Sequence, residues 1–450
     1  MRVHFISIGG SVMHQLAIAL HRKGYKVAGS DDEVFEPSRT NLLNEGLLPK
    51  QEGWFATNIT PNIDAIILGM HARADNPELI KARALGLPIY SFPAYIYQES
   101  KNKKRIVIGG SHGKTTTTAM IMHVLQKTNQ SFDYMVGARL NGFDQSVAIT
   151  NAPLIVCEGD EYPASALEKQ PKFHFLFPHI SVLTGIAWDH INVFPTYDIY
   201  VEQFRIFIQK IESGGYLIYN ATDDSLVKLI QHNLRKDIQY IPYTLPTHKI
   251  VDGQTELTIE DNTSLLKVFG DHNLLNMHAA YHVCRLLNIS AADFVQAIAS
   301  FTGAAKRLEL LYEQGNTHIY RDFAHAPSKV KATIQALRQQ FPQQKLVALL
   351  ELHTYSSLQK DFLPQYAHSL DGADAAAVFY SQHTLTIKQL PNIEEQDIQN
   401  GFANTTISIL NNADKLTKWI NTQKNVPAIY VLMSSGNYDG VDVVEQLKIK

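Results

Sequence analysis

The chain has 450 residues, more than one ordinary hydrophobic core holds, so we expect two or three domains. Hydrophobic residues make up 45% of it and charged residues 18%, the balance of a globular protein. The net charge of −3 argues against a nucleic-acid partner, because such proteins neutralise many phosphates.

The cysteines and the apolar runs exclude further classes of protein. Cys157 and Cys284 lie far apart in no metal-ligand spacing, so we expect neither a disulfide framework nor a cysteine zinc site. The first apolar run is too short for a signal peptide, and no run of about 18 apolar residues predicts a membrane span. We therefore expect a cytoplasmic enzyme.

Short apolar runs alternate with helical patterns in the N-terminal region. Strands are predicted at 3–8, 26–29, 65–68 and 88–91, and helices at 12–23, 38–45 and 77–85. This alternation is typical of a parallel sheet with crossover helices. The polar residues 98–104 that follow predict a linker.

A glycine turn joins the first predicted strand to the first predicted helix. Gly9, Gly10 and Ser11 stand where a diphosphate would rest on the helix N-terminus. Asp31 follows the second strand about 20 residues on, where an acid that binds ribose or base is expected. His14 stands near the third glycine position of the dinucleotide fingerprint. A structural turn and a site for NAD or a nucleotide-diphosphate sugar therefore both remain open.

The most informative stretch reads GGSHGKTTTT, from residue 109 to 118. It follows a buried-strand pattern and opens a helical one, the arrangement of a loop that cradles nucleotide phosphates. The residues expected to bind ATP or GTP there are Gly110, Ser111, His112, Gly113, Lys114, Thr115 and Thr116. Lys114 would reach the terminal phosphates and Thr115 would hold Mg²⁺. Ile108 stands where the usual pattern has a glycine.

Polar residues follow two further apolar runs of the middle region. Glu158 ends the first run, at the sheet edge where ligands gather, and would complete a magnesium shell opposite Lys114. His190 follows the second run, directly after Asp189, and would ligate a second metal ion. A solvated loop acid and a hydrogen-bonded structural histidine are the alternative interpretations.

Two asparagines and an arginine further along are candidate nucleotide ligands. Asn273 and Asn276 lie three residues apart in a helical pattern, so they share one face and could pair with an adenine edge. Capping of the helix by Asn273 is the alternative. Arg307 offers a bidentate fork for phosphates, although a surface ion pair is the ordinary explanation. Asp322 ends a predicted strand just before a helix.

Strand and helix patterns alternate again in the last region of the chain. Strands are predicted at 317–322, 345–350, 375–379 and 428–433, and helices at 327–340 and 360–370. Together the patterns predict three α/β domains, at 1–102, 103–303 and 304–450.

Six motifs in this order resemble the Mur ligase family, the ATP-dependent amide-forming enzymes of peptidoglycan synthesis. They are GSHGKTTTT from Gly110, EGDE from Glu158, Asp189-His190, HNxxN from His272, Lys306-Arg307 and DFAHxP from Asp322. The resemblance covers the entire chain. It implies a Rossmann-like parallel sheet at the N-terminus, a central P-loop ATPase domain and a Rossmann-like C-terminal domain.

The resemblance also implies a reaction of two displacements, in which a carboxylate takes the γ-phosphate of ATP and an amine then displaces phosphate. Lys114, Glu158 and His190 would be catalytic, and Thr115, Glu158 and His190 would hold Mg²⁺. Adenine would lie against Asn273 and Asn276, and the phosphates and ribose against Arg307 and Asp322. The substrate would contact Gly9, Gly10, Ser11, Asp31 and His325.

Within the family, the chain is most similar to the members that act on UDP-N-acetylmuramate. Asp160-Glu161-Tyr162, Arg307-Leu308-Glu309 and Asp322-Phe323-Ala324-His325 favour members that attach L-alanyl-γ-D-glutamyl-meso-diaminopimelate. Members that add L-alanine are the alternative, and these carry arginines where this chain has His353-Thr354-Tyr355-Ser356-Ser357. Three positions depart from the family pattern: Ala326 replaces a histidine, Pro163 an acid, and Arg205 a modified lysine.

Other classes stay open. A nicotinamide oxidoreductase would explain Gly9 and Asp31 but gives Lys114 no role. A folylpolyglutamate-type ligase would lack the N-terminal nucleotide domain. A non-catalytic Mur-like nucleotide-binding protein would not require two metal sites.

Overall fold

The computed structural model of the chain describes residues 1–138, 140, 142–188, 193–251, 253–304, 307–424 and 426–448. The chain forms two compact units. The first unit holds Met1–Thr244 and Leu275–Ala297, and the second holds Leu245–Leu274 and Ile298–Lys450. The architecture is mixed α/β with three largely parallel sheets, as the sequence predicts.

The first unit begins with a four-stranded parallel sheet in the order β2-β1-β3-β4. Its strands are β1 (Arg2–Ile6), β2 (Lys26–Ser30), β3 (Ala65–Leu68) and β4 (Ile89–Ser91). Its helices are α1 (Met13–Arg22), α2 (Ser38–Asn44), α3 (Pro77–Ala84) and α4 (Phe92–Ser100). Alternate residues of β3 pack into different hydrophobic clusters, so both faces of the sheet are buried. Burial on both faces explains the unbroken apolar runs.

All four strands and the three helices predicted for this region are confirmed, with ends shifted by one or two residues. The predicted linker is wrong in its first half, because residues 98–100 form the last turn of α4. Phe92, Tyr95 and Ile96 are buried and drive that helix, whose polar end misled the sequence interpretation.

A seven-stranded sheet follows in the first unit, in the order β11-β10-β9-β5-β8-β6-β7. Its strands are β5 (Lys104–Gly109), β6 (Asp133–Met135), β7 (Val147–Ala148), β8 (Leu154–Glu158), β9 (Ile180–Leu183), β10 (Tyr216–Asn220) and β11 (Gln239–Tyr243). The helices of this region are α5 (Lys114–Lys127), α6 (Tyr197–Gln209) and α7 (Asp224–His232). All strand pairs are parallel except β6 with β7. Because β8 and β9 flank β5, the carboxyl ends of these three strands meet at one edge.

The second unit contains two sheets. The smaller is antiparallel and holds β12 (His248–Val251), β13 (Gln254–Ile259) and β14 (Asn262–Leu266). Helix α8 (Asp271–Leu286) follows, and the boundary between the units at Leu274 falls inside it. Helix α9 (Ala291–Ile298) comes next, and its residues up to Ala297 belong to the first unit. Cys157 and Cys284 are buried and free.

The larger sheet of the second unit has six strands in the order β15-β16-β20-β17-β18-β19. They are β15 (Glu309–Gln314), β16 (Thr317–Asp322), β17 (Leu346–Leu352), β18 (Ala375–Tyr380), β19 (Ser408–Leu410) and β20 (Ile429–Met433). Its helices are α10 (Pro327–Gln340), α11 (Gln382–Ile387), α12 (Glu395–Phe402), α13 (Ala413–Gln423) and α14 (Val443–Leu447). Only β15 runs antiparallel to its neighbour, β16.

The α-helix predicted at 360–370 is wrong. A 3₁₀ helix over Lys360–Tyr366 stands there, with Pro364 inside it. Proline has no N–H and clashes with the preceding turn, so a regular α-helix does not form. Across the described ranges, no helix has both the length and the apolar character needed to cross a membrane.

Candidate active site

The loop between β5 and α5 turns at two glycines in the left-handed region. Gly110 has φ of +132° and Gly113 has φ of +81°. A Cβ at Gly110 would lie 2.1 Å from Thr184 Oγ1, and one at Gly113 would lie 2.3 Å from Asn276 Oδ1. Neither position accepts a side chain, because both backbone conformation and space exclude it. The chain therefore enters α5 through a tight glycine loop, with the first N–H groups of the helix lacking intrahelical partners.

The segment after β9 fixes this loop. Ser111 N donates to Gly185 O at 2.8 Å, and Ser111 Oγ accepts from Ala187 N at 3.0 Å. Thr184 Oγ1 donates to the carbonyl of His112. These bonds fix the loop at the N-terminus of α5, where backbone N–H groups suit a phosphate.

Lys114, the first residue of α5, is held at its ammonium group. Lys114 Nζ donates to Gly110 O at 2.5 Å and to Glu161 Oε2 at 2.6 Å. The Lys114 side chain is 15% exposed, whereas Glu161 is fully buried. Burial alone would lower the pKa of Lys114, but the carboxylates of Glu161, Asp160 and Glu158 outweigh it and raise that pKa. Lys114 is therefore a fixed positive charge beside the loop.

Thr115 and Glu158 form a second pair beside the same loop. Thr115 Oγ1 donates to Glu158 Oε1 at 2.6 Å, and Gly137 N donates to Glu158 Oε2 at 2.9 Å. A hydroxyl and a carboxylate suit Mg²⁺, which keeps most of its waters and takes one or two protein ligands next to phosphates. Among the described residues, no group of three or more His, Cys, Asp or Glu forms a larger metal cluster. The loop and this pair thus fit a nucleoside triphosphate with Mg²⁺.

Glu161 was not predicted as a site residue. Glu158 was expected opposite Lys114, whereas the direct ionic partner of Lys114 is Glu161 and Glu158 acts on it through space. The signal was present in the EGDE motif, where a second acid follows Glu158 by three residues. His190 and Asp189 lie outside the described residues, as does Lys306.

The N-terminal glycine turn is braced by Asp31. Gly9 N donates to Asp31 Oδ2 at 2.6 Å, and a Cβ at Gly9 would lie 2.9 Å from that oxygen. Burial raises the pKa of Asp31 to about 7, against the hydrogen bond from Gly9 that lowers it. Gly10 and the exposed Ser11 lead into α1. Asp31 thus has a structural role in the turn.

The candidate residues of the second unit lie at the carboxyl end of β16. The Arg307 guanidinium stands 5.0 Å from the centre of the Phe323 ring, and His325 Nδ1 contacts Phe323 O at 2.8 Å. Asp322 Oδ2 accepts from Thr333 Oγ1 at 2.6 Å. The structure therefore brings Arg307, Asp322 and His325 together.

Of the two candidate asparagines, Asn273 belongs to the second unit and Asn276 to the first. Asn273 Nδ2 donates to Phe269 O at 2.8 Å within the second unit. The capping alternative is wrong, because a cap accepts from backbone N–H groups and Asn273 donates to a carbonyl from inside α8. Asn276, in the first unit, packs against Gly113 of the phosphate loop.

A buried acid at the same edge of the larger sheet was also missed. Glu351 in β17 is 2% exposed, accepts from Tyr438 N at 3.1 Å, and accepts from the hydroxyl of Ser434. Ser434 N in turn donates to Asp322 O at 3.0 Å. No local pattern predicts this contact, since it depends on β20 lying between β16 and β17.

Comparisons with known proteins agree along the whole chain. Three family models match in order: "Mur ligase family, catalytic domain" at residues 2–104, "Mur ligase middle domain" at 108–284, and "Mur ligase, glutamate ligase domain" at 306–436. The UDP-N-acetylmuramate–L-alanine ligase of Caldicellulosiruptor bescii is 33% identical over 387 residues, covering 83% of this chain and 82% of the relative.

Two further comparisons extend over nearly the full length. The UDP-N-acetylmuramate–L-alanyl-γ-D-glutamyl-meso-2,6-diaminoheptandioate ligase of Haemophilus influenzae is 26% identical over 465 aligned positions, covering 100% of this chain and 99% of the relative. The crystal structure of a murein peptide ligase from Psychrobacter arcticus superposes with a TM-score of 0.63 at 22% identity, covering 99% of this chain and 98% of that chain. The latter similarity is one of fold.

Proposed function

The chain belongs to the Mur ligase family, and we propose that it joins the carboxylate of UDP-N-acetylmuramate to the amine of L-alanyl-γ-D-glutamyl-meso-diaminopimelate. Mur ligases are ATP-dependent amide ligases of peptidoglycan synthesis that use Mg²⁺. The tripeptide as amine substrate would give this chain a role in peptidoglycan recycling. ADP and phosphate would be the other products.

The observation that carries the ligase chemistry is the pair of contacts at the start of α5. Lys114 is fixed by Gly110 and Glu161, and Thr115 is fixed by Glu158. Bringing a carboxylate to the γ-phosphate of ATP joins two anions, so the step needs concentrated positive charge held in place. A lysine whose ammonium is held at two points keeps a third N–H that can be directed at a phosphate.

The remaining roles are assigned as the resemblance to the family implies them. Mg²⁺, held by Thr115 and Glu158, would neutralise phosphate charge, and a second ion would bind His190. The loop of residues 110–116 would orient the phosphates. Arg307 and Asp322 would contact phosphates and ribose, and Asn273 and Asn276 would contact adenine.

Substrate contacts are assigned to both ends of the chain. Gly9, Gly10, Ser11 and Asp31 would bind the uridine diphosphate part, and His325 the reacting end of the substrates. We assign residues 1–102 to the sugar nucleotide and 103–303 to ATP, with 304–450 as the C-terminal ligase domain. The carboxylate would first take the γ-phosphate of ATP, which gives an acyl phosphate and releases ADP. Attack of the amine on this acyl phosphate would then release phosphate and form the amide.

Two observations support the tripeptide over L-alanine as the amine. The relative from Haemophilus influenzae aligns over the entire chain, whereas the relative from Caldicellulosiruptor bescii covers 83% of it. The segment at 353–357 also lacks the arginines of the L-alanine enzymes. The higher identity of the latter relative, 33%, favours the L-alanine ligase as the second candidate.

The test is phosphate release with ATP, Mg²⁺ and UDP-N-acetylmuramate, offering the tripeptide and L-alanine separately. We expect turnover with the tripeptide, and turnover with L-alanine alone would reverse the preference. Lys114→Ala is expected to abolish release, whereas Lys127→Ala, at the far end of the same helix, is expected to retain it. Activity of Lys114→Ala equal to the parent would contradict the proposed chemistry.

A further inference from the structure

A chain of hydrogen bonds links the N-terminal glycine turn to the Thr115–Glu158 pair within the first unit. It begins at the Gly10 carbonyl, which accepts from His14 N at 3.0 Å and contacts His14 Nδ1 at 2.9 Å. In a trans peptide the carbonyl and the next N–H point in opposite directions. Drawing the Gly10 carbonyl towards α1 therefore turns the Ser11 N–H away from the helix, towards the side where a diphosphate would bind.

The side chain of Gln15 helps to fix which ring nitrogen of His14 carries the proton. His14 is 3% exposed, and its Nε2 lies 2.7 Å from Gln15 Nε2 and 3.3 Å from Asn41 Nδ2. Both amide nitrogens are donors, so His14 Nε2 is an acceptor and the ring proton is on Nδ1, which faces Gly10 O and Ser38 Oγ. Burial lowers the pKa of His14, which keeps the ring neutral, against the hydrogen bond to Gly10 that raises it.

The other end of Gln15 reaches the middle region. Gln15 Oε1 accepts from Ser146 N at 3.1 Å, and Ser146 O accepts from Val136 N at 2.9 Å. The next residue, Gly137, donates its N–H to Glu158 Oε2 at 2.9 Å. Each link is a direct hydrogen bond or a step along the backbone within one residue or to the next, so the position of Gln15 bears on the carboxylate that Thr115 contacts.

We propose that Gln15 is a positioning residue that couples a sugar nucleoside diphosphate at Gly9–Ser11 to a magnesium nucleotide at Thr115 and Glu158. This inference rests on the proposed function, since it takes both ligands from there. A ligand that contacts Ser11 N–H favours the arrangement in which the Gly10 carbonyl is bound by His14. That arrangement keeps Gln15 on Ser146, and through Gly137 it holds Glu158 in place for the metal. The coupling is reciprocal, because each ligand must change the affinity for the other by the same factor.

The experiment is isothermal titration calorimetry of ADP with Mg²⁺, in the absence and presence of saturating UDP-N-acetylmuramate. Without an amine and without ATP no reaction occurs, so the ratio of the two dissociation constants is the coupling factor. For the unaltered chain we expect ADP to bind at least about fivefold more tightly when the sugar nucleotide is present. In Gln15→Leu we expect the ratio of the two dissociation constants to fall below about twofold. The affinity for each ligand on its own should change much less than this ratio does.

Gln126→Leu is the matched control, because Gln126 is exposed on α5 and lies outside the described path. Gln15→Ala removes the same bonds without adding bulk, and it replaces the leucine variant if that variant does not fold. A ratio near one in the unaltered chain, or an unchanged ratio in Gln15→Leu or Gln15→Ala, would overturn the inference and leave the proposed function standing. Absence of UDP-N-acetylmuramate binding to the unaltered chain would instead overturn the proposed function and the inference with it.

Discussion

Replacing Gly113 by alanine tests how tightly the phosphate loop is built. Gly113 has φ of +81°, and a Cβ there would lie 2.3 Å from Asn276 Oδ1. The left-handed conformation costs an alanine roughly 1–2 kcal/mol. Forcing an atom into a packed contact adds about 1–3 kcal/mol. The free energy of unfolding of Gly113→Ala should therefore fall by about 2–5 kcal/mol.

Gly46→Ala separates the two contributions. Gly46 has φ of +69°, and a Cβ there would meet nothing within 4 Å. This variant carries only the conformational cost, about 1–2 kcal/mol. In a unit of this size each kcal/mol lowers the melting temperature by about 2–4 °C, so the two variants should be distinguishable by calorimetry.

The excess cost of Gly113→Ala should shrink when Asn276 is also replaced by alanine, because the colliding atom is then absent. Binding of ADP with Mg²⁺ should weaken at least about tenfold in Gly113→Ala and stay unchanged in Gly46→Ala, because the displaced loop no longer aims its N–H groups at phosphate. If Gly113→Ala is no less stable than Gly46→Ala, or if its excess cost survives in the Asn276→Ala background, the steric argument is refuted.

Three further predictions concern charged and hydroxyl groups. Glu161→Gln keeps the shape but removes the charge beside Lys114, so stability should fall by about 1–2 kcal/mol. Glu202→Gln, which disrupts the exposed ion pair with Arg205, should cost less than about 1 kcal/mol; equal melting temperatures for these two variants would contradict the argument. The raised pKa of Asp31, about 7 when folded against about 3.9 unfolded, means that the folded chain binds more protons between these values. Stability from this group therefore falls as pH rises from about 4 to about 7, so the gain in melting temperature from Asp31→Asn should grow over that range. A pH-independent effect of Asp31→Asn would exclude the reasoning. Thr115→Val should weaken the Mg²⁺-dependent part of ADP binding by roughly tenfold, without changing ADP binding in EDTA; equal Mg²⁺ dependence would remove Thr115 as a ligand.

Much of the fold was predictable because its signals are local. Strand 317–322 and helix 327–340 match the structure residue for residue. The buried strands read as apolar runs, and Pro327 marks the first turn of the helix. The alternation of such segments is enough to predict parallel sheets.

The small antiparallel sheet was not predicted. Its middle strand, Gln254–Ile259, alternates exposed or half-buried positions with buried ones and includes threonines and a glutamate. Such short strands lack the long apolar run on which the sequence analysis relied. Their pairing is set by the turns between them and by packing on α10, which local patterns do not encode.

The candidate site also has one part that the sequence predicts and another that it does not. The phosphate loop was predictable because its glycines, lysine and threonines are consecutive. The partner of Lys114 was not, because it depends on how the chain turns after β8 to bring Glu161 under the ammonium group. The contact of Glu351 with Ser434 joins positions 83 residues apart and is set by strand order alone.

The route of the backbone constrains how this molecule can be divided. It crosses from one compact unit to the other three times, after Thr244, Leu274 and Ala297. A fragment that starts at residue 298 would lack Thr255, whose hydroxyl donates to Gln340 at 3.1 Å. Neither unit corresponds to one uninterrupted stretch of the gene product, so producing either one separately requires joining two non-consecutive pieces of polypeptide rather than a single cut.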